Sequence, residues 1–220
     1  MTHDPSFNGP HQGQPVLQAG SPLDSAKAAL VLIHGRGATA RGMLELANVL
    51  SYPEWAYLAP QAADNTWYPQ RFIAPLASNE PELSSALAAI EAVLDNITRA
   101  GIKPEQTVLL GFSQGACLAL EFVARRAQRY GAVAGLSGGL IGPEGTPREY
   151  AGSLAGTPIF LGCSDVDSHI PKERVIDSAD VLQRLGGDIT LRLYPQMGHT
   201  INEDELEFVR AMMAALTSAP

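Results

Sequence analysis

Six short apolar segments, most of them without polar alternation, recur along the 220-residue chain with helical patterns between them. Strands that are covered on both faces have this continuous apolar character. The segments are AALVLIH (28–34), WAYLAP (55–60), TVLLGF (107–112), GAVAGLS (131–137), TPIFLGC (157–163) and DITLRLY (188–194). Strand alternating with helix predicts an α/β fold, with a mostly parallel central sheet and helices on both faces.

The chain length suits one domain with a large core, and we predict that residues 25–220 form it. Residues 1–24 are rich in Gly, Pro, Gln and Ser and are predicted to be a partly flexible N-terminal arm. VLQAG within that arm is a candidate edge strand. No insertion is long enough to form a large lid domain.

Charge and cysteine content exclude several classes of partner. A net charge of −8 and a pI near 5.1 argue against binding nucleic acid or anionic membranes. Two cysteines, Cys117 and Cys163, are too few for a disulfide framework or a zinc site and are expected to be buried. We expect no metal and no cofactor.

The N-terminus lacks signal-peptide features and no segment could span a bilayer, which predicts a cytoplasmic protein.

A G-x-S-x-G motif at residues 111–115 falls between a buried strand and a helix. Its glycines leave room for a sharp turn that projects the hydroxyl of Ser113 above the sheet. The backbone N–H of Gln114, at the helix start, would face a developing negative charge. We therefore predict that Ser113 is a nucleophile; the alternative is a glycine-rich turn with an incidental serine.

A serine nucleophile needs a base and a carboxylate, and both occur after later strands. His199 lies between the last strand and the terminal helix, which places it at the same sheet edge as Ser113. Asp165 and Asp167 follow TPIFLGC and reach that edge too. The order serine, acid, histidine predicts a catalytic triad.

The segment HGRGAT (34–39) resembles a glycine-containing oxyanion loop, and the N–H of Arg36 is the candidate second donor. His34 is expected to stabilise this loop, and His169 is expected to be a loop residue without a catalytic role. His3 and His11 lie in the arm and are expected to be solvated.

Four motifs together resemble the phospholipase/carboxylesterase family of α/β-hydrolases, which includes the acyl-protein thioesterases. They are VLIHGRGAT, GFSQGACLALE, DVDSHIP and YPQMGHTIN, and the resemblance extends from about residue 28 to the end. The resemblance implies that Ser113 is the nucleophile, His199 the base and Asp167 the acid. It also implies that the backbone N–H groups of Arg36 and Gln114 are the oxyanion donors. The acid falls on Asp167 because the family pattern x-x-[IV]-P follows it, and Asp165 stays as the alternative.

The long irregular segment 59–83 is predicted to be a binding loop. Four of its side chains are candidate walls of an acyl or aryl pocket: Trp67, Tyr68, Phe72 and Ile73. The alternative for Trp67 is a core position beneath the loop. A second Gly/Pro-rich segment, residues 140–156, is expected to form the opposite lip.

These features predict a serine hydrolase that cleaves small or medium carboxylic esters through an acyl-enzyme. Thioesterase activity, lysophospholipase-type activity and a non-catalytic binding protein are the alternatives. In the thioesterases the position of Arg36 is leucine-like, which argues against protein depalmitoylation. The expected partner is a small-molecule ester, without stable membrane association; the oligomeric state, a homodimer included, stays open.

Overall fold

A computed structural model describes residues 9–217, which form a seven-stranded sheet in the order β1-β3-β2-β4-β5-β6-β7. The strands are β1 (Val16–Gly20), β2 (Ala28–Ile33), β3 (Trp55–Pro60), β4 (Thr107–Phe112), β5 (Ala132–Leu136), β6 (Pro158–Ser164) and β7 (Asp188–Tyr194). Only β1 is antiparallel to its neighbour; the other pairings are parallel. The mostly parallel α/β fold is confirmed.

Helices cover both faces of the sheet. They are α1 (Ala40–Val49), α2 (Glu82–Arg99), α3 (Gln114–Arg125), α4 (Lys172–Arg184) and α5 (Glu203–Thr217). Alternate residues of β2 serve two separate cores: Val31 belongs to the core that includes residues of α2, α3 and α4, and Leu30 belongs to the core that includes residues of α1 and α5. This double burial explains why the strands are apolar throughout. Among the described residues, none of the helices has the length and apolarity to span a membrane.

The described part of the arm packs against the domain. β1 is the edge strand expected from VLQAG and pairs with β3. His11 is only 3% exposed; its backbone N–H donates to Ser85 Oγ (2.9 Å) and its ring contacts the Trp67 carbonyl oxygen (2.9 Å). The expectation of a solvated His11 was wrong. Its partners, Ser85 and Trp67, lie more than 50 residues away in the chain, so local sequence could not indicate this burial. His3 lies outside the described residues, and the domain division at residue 25 stays a prediction.

A reciprocal pair of hydrogen bonds begins α5, directly after the loop that carries His199. The Glu205 N–H donates to Asn202 Oδ1 and the Asn202 N–H donates to Glu205 Oε2, both at 2.9 Å. The Glu205 side chain is buried, and its Oε1 has no hydrogen-bond partner within residues 9–217. Burial raises the pKa of this carboxyl to about 7.

Replacing Glu205 by Gln should stabilise the fold at neutral and alkaline pH. A folded-state pKa near 7, against 4.5 unfolded, means that stability falls as pH rises from 4.5 through 7. Glu205→Gln removes this loss, so its advantage should be about 1–3 kcal/mol above pH 7 and should vanish near pH 4.5. Urea unfolding across this pH range measures it. The exposed Glu203→Gln provides the control and should show no such pH dependence.

Candidate active site

The turn between β4 and α3 holds Ser113 in a conformation that L-residues rarely adopt, with φ 55° and ψ −118°. A Cβ on Gly111 would collide with the carbonyl oxygen of Gly115. A Cβ on Gly115 would collide with the carbonyl oxygen of Ile33, at the end of β2. Both glycines of the G-x-S-x-G motif are therefore required by close backbone contacts, which set the direction of the Ser113 side chain.

Three predicted side chains form one hydrogen-bonded chain at the carboxyl edge of the sheet. Ser113 Oγ lies 2.9 Å from His199 Nε2, and His199 Nδ1 lies 2.7 Å from Asp167 Oδ2. The Asp167 side chain is fully buried, and that of His199 is 20% exposed. Because the Asp167 carboxylate accepts a hydrogen bond from Nδ1–H, the proton of the neutral ring stays on Nδ1 and Nε2 is left with a lone pair that faces the serine hydroxyl.

Asp167 is held ionised by the groups around it. Burial would raise the pKa of this carboxyl, but hydrogen bonds outweigh it and bring the pKa below its usual range. The donors are His199 and the backbone N–H groups of His169 (2.8 Å) and Ile170 (3.0 Å), both bonded to Oδ1. An ionised Asp167 can fix the tautomer of His199 and stabilise its protonated form.

Asp165 and Ser164 do not join this hydrogen-bonded chain; their side chains instead fix the loop that carries His199. Asp165 Oδ1 accepts from the Gln196 N–H (2.8 Å), and Ser164 Oγ accepts from the Gly198 N–H (3.0 Å). Asp165 forms no hydrogen bond with His199, so the geometry favours Asp167 as the acid. Sequence reasoning missed Ser164; the signal available was a small polar residue that follows the apolar run of TPIFLGC.

Two backbone N–H groups next to Ser113 have no protein acceptor within the described part of the chain, those of Arg36 and Gln114. Gln114 begins α3, so its N–H points out of the helix N-terminus. A Cβ built on Gly35 would lie 3.3 Å from Ser113 Cβ, so the loop of Arg36 runs directly beside the serine. Both donors can face an oxygen bound next to Ser113.

The side chains of these two residues hold the binding loop, which sequence reasoning did not foresee. The Arg36 guanidinium donates to the carbonyl oxygens of residues 68, 69 and 70 at 2.8, 3.0 and 2.7 Å. Gln114 accepts from the Trp67 N–H (2.9 Å) and donates to the Tyr68 carbonyl oxygen (2.8 Å). Residues 67–70 are thus hydrogen-bonded to the side chains of Arg36 and Gln114, the two residues whose backbone N–H groups are the candidate oxyanion donors.

His34 is fully buried and supports this same loop, as expected. Its Nδ1 bonds the Gly35 carbonyl oxygen (2.7 Å), and its Nε2 accepts from the Ala62 N–H (3.1 Å). Burial lowers the pKa of the His34 imidazole, so the ring is neutral at neutral pH. With both ring nitrogens bonded to backbone groups, His34 is a structural residue.

A cleft of about 260 Å³ lies above Ser113. Of the four side chains predicted to line it, Tyr68 and Phe72 do so. Trp67 is instead buried in the core, where its indole N–H donates to the His34 carbonyl oxygen (2.8 Å). Ile73 is half-buried and packs against the same core without lining the cleft. The other lining residues are Arg36, Arg71, Ser113, Gln114, Cys117, His169, Ile170 and His199.

The expectation that residues 140–156 form the opposite lip was wrong. Leu140 and Ile141 are buried, and the Gly142 N–H donates to the Phe72 carbonyl oxygen (2.7 Å), so the segment packs behind the binding loop. The cleft wall comes from His169 and Ile170, which follow Asp167. Composition identified residues 140–156 as a loop but could not indicate which side of the cleft it covers.

The two cysteines are buried free thiols, as expected. Burial raises the pKa of both Cys117 and Cys163 to about 12, so neither is a thiolate at neutral pH. Within residues 9–217, no cluster of His, Cys, Asp or Glu side chains has the grouping needed to hold a metal ion.

Comparison with known proteins gives a family and close structural relatives. A family model described as Phospholipase/Carboxylesterase matches residues 16–217. The crystal structure of a phospholipase/carboxylesterase from Dyadobacter fermentans superimposes with a TM-score of 0.88 and 40% identity, covering 92% of this chain and 97% of that one.

Curated relatives include acyl-protein thioesterases of fungi. Acyl-protein thioesterase 1 of Saccharomyces cerevisiae is 27% identical over 87% of this chain and 93% of its own length. Acyl-protein thioesterase 1 of Gibberella zeae is 33% identical over 51% of this chain, and the match spans about half of that protein.

Replacing Gly115 by Ala should destabilise the protein by about 1–3 kcal/mol, because the new methyl group meets the Ile33 carbonyl oxygen and α3 must shift. Urea unfolding measures the loss. Gly42→Ala is the matched control: its Cβ would make an ordinary 3.6 Å contact in α1, so stability should rise by about 0.5–1 kcal/mol. Equal effects at the two positions would contradict the account of the turn.

Proposed function

The chain belongs to the phospholipase/carboxylesterase family and is a carboxylic ester hydrolase, and from this premise we propose that it works through a Ser113–His199–Asp167 triad on small esters. One observation carries the proposal: the unbroken hydrogen-bonded chain from Ser113 Oγ through His199 to a buried, ionised Asp167. It lies beside two backbone N–H groups with no acceptor of their own among residues 9–217.

In the first half-reaction, Ser113 Oγ attacks the ester carbonyl carbon while His199 Nε2 takes the hydroxyl proton. Asp167 stabilises the imidazolium that forms. The N–H groups of Arg36 and Gln114 donate to the oxyanion, and in other serine hydrolases one such donor is worth about 10²–10³ in rate. His199 then gives its proton to the leaving alcohol, which departs and leaves an acyl-serine.

In the second half-reaction, water enters the position of the alcohol. His199 Nε2 takes a proton from the water as its oxygen attacks the acyl carbon, and the same two N–H groups hold the second oxyanion. Collapse of that intermediate returns the proton from His199 to Ser113 and releases the carboxylic acid. No step requires a group beyond the side chains and backbone of this site.

The size of the cleft supports small or medium acyl or aryl groups as substrates. Its volume of about 260 Å³ lies below the roughly 300–1,000 Å³ of pockets that hold drug-sized ligands. Phe72 and Ile170 provide apolar wall, and long acyl chains would extend beyond the cleft. The fungal relatives named as thioesterases make a thioester the second candidate substrate, and the same nucleophile would serve both.

Ser113→Ala should reduce kcat by at least about 10⁴-fold, because no other group of the site can form the acyl-enzyme. Stability should change little, since the Ser113 hydroxyl forms a hydrogen bond with His199 alone among residues 9–217. Hydrolysis of 4-nitrophenyl esters and of acyl thioesters measures the rate, and intact mass after fluorophosphonate treatment measures the adduct. If folded Ser113→Ala still gains the mass of the fluorophosphonate adduct, Ser113 is not the nucleophile.

Asp167→Asn should lower kcat by about 10²–10⁴-fold, because an amide cannot stabilise the His199 imidazolium and favours the wrong tautomer. Asp165→Asn is the matched control, since its side-chain oxygen can still accept from the Gln196 N–H. We expect less than about a tenfold loss there. Steady-state kinetics on one ester compares the two, and the reverse ranking would move the acid to Asp165.

A further inference from the structure

The cleft is basic although the protein is acidic. Its described lining contains two arginines, Arg36 and Arg71, and no aspartate or glutamate. The carboxylate of Asp167 is buried behind His199 and is paired with it. Against a net charge of −8 for the chain, the cleft therefore concentrates positive charge where a substrate binds.

The two arginines of the cleft have no acidic partner. Within residues 9–217, neither Arg36 nor Arg71 forms an ion pair with a carboxylate, whereas Arg126 and Arg192 do so elsewhere on the surface. The Arg36 guanidinium donates to three carbonyl oxygens of the binding loop, which occupy most of its N–H donors. Its main contribution to the cleft is therefore its positive charge.

Arg71 keeps most of its donors free. Its Nη2 makes one long bond to the His169 carbonyl oxygen (3.3 Å), which brings the guanidinium from the binding loop to the loop after Asp167. A guanidinium carries five N–H donors in a planar fork that fits a carboxylate. The side chain is exposed and lines the cleft, so those donors are available to a ligand.

We propose that the substrate is an ester that carries a carboxylate besides the scissile bond, and that Arg71 binds this carboxylate. The inference rests on the proposed function, because it specifies the substrate class of the same cleft. The carboxylate belongs to the acyl group or to the alcohol, and the substrates of the test distinguish the two.

Two matched substrate pairs test the proposal. Mono-4-nitrophenyl glutarate and 4-nitrophenyl pentanoate differ by a carboxylate on the acyl side; 4-acetoxybenzoate and its methyl ester differ on the alcohol side. The quantity measured is the ratio of kcat/KM for the anionic ester to that for its neutral partner. Comparing this ratio between variants removes the intrinsic reactivity of each ester.

We expect Arg71→Gln to lower the ratio about three- to tenfold in one pair, with Arg71→Lys retaining part of it. Arg41→Gln is the control, because it removes the same charge from an exposed site outside the cleft lining, and its ratio should equal that of the wild type. In the wild type the ratio should fall as salt is raised, as expected for an exposed charge pair.

The outcomes separate this inference from the proposed function. If the wild type hydrolyses none of the four esters, the proposed function fails. If neutral esters are hydrolysed but the ratio in both pairs is the same in wild type and Arg71→Gln, the carboxylate site is overturned and the proposed function stands.

Discussion

The close approach between the start of α3 and the end of β2 is the contact on which the candidate site depends. Because Gly115 has no Cβ, the helix can sit directly on the Ile33 carbonyl oxygen, and the chain can turn sharply at Ser113. The same approach brings the loop after β2 beside the serine, so Arg36 and Gln114 reach one point from two different elements. A single steric condition thus fixes the hydroxyl and both N–H donors.

The parallel sheet supplies the remaining groups at the same edge. Ser113 follows β4, while Asp167 and His199 follow the neighbouring strands β6 and β7, with β5 between them and the serine. His199 must therefore reach across the edge, and its loop is anchored to the end of β6 through Ser164 and Asp165. These anchors are backbone N–H bonds to short side chains, which hold position with little freedom.

Most of the architecture could be read from local sequence, because buried parallel strands are apolar without interruption. The six predicted strands agree with the structure within one residue at each end. Ser113 and His199 were also predictable, since each follows a strand, whereas the choice of Asp167 over Asp165 came from the family pattern that follows Asp167. Local sequence did not reveal the burial of His11 and Trp67 or the packing of residues 140–156, because these depend on contacts between segments far apart in the chain.

The attachment of residues 67–70 to Arg36 and Gln114 has a consequence for how this protein could diversify. One wall of the cleft and both anion-facing N–H groups belong to the same hydrogen-bonded unit. Substitutions that reshape this wall would strain the donors, so substrate range and turnover would change together. New specificities would be more readily acquired on the other wall, at residues 169 and 170, which lie outside that unit.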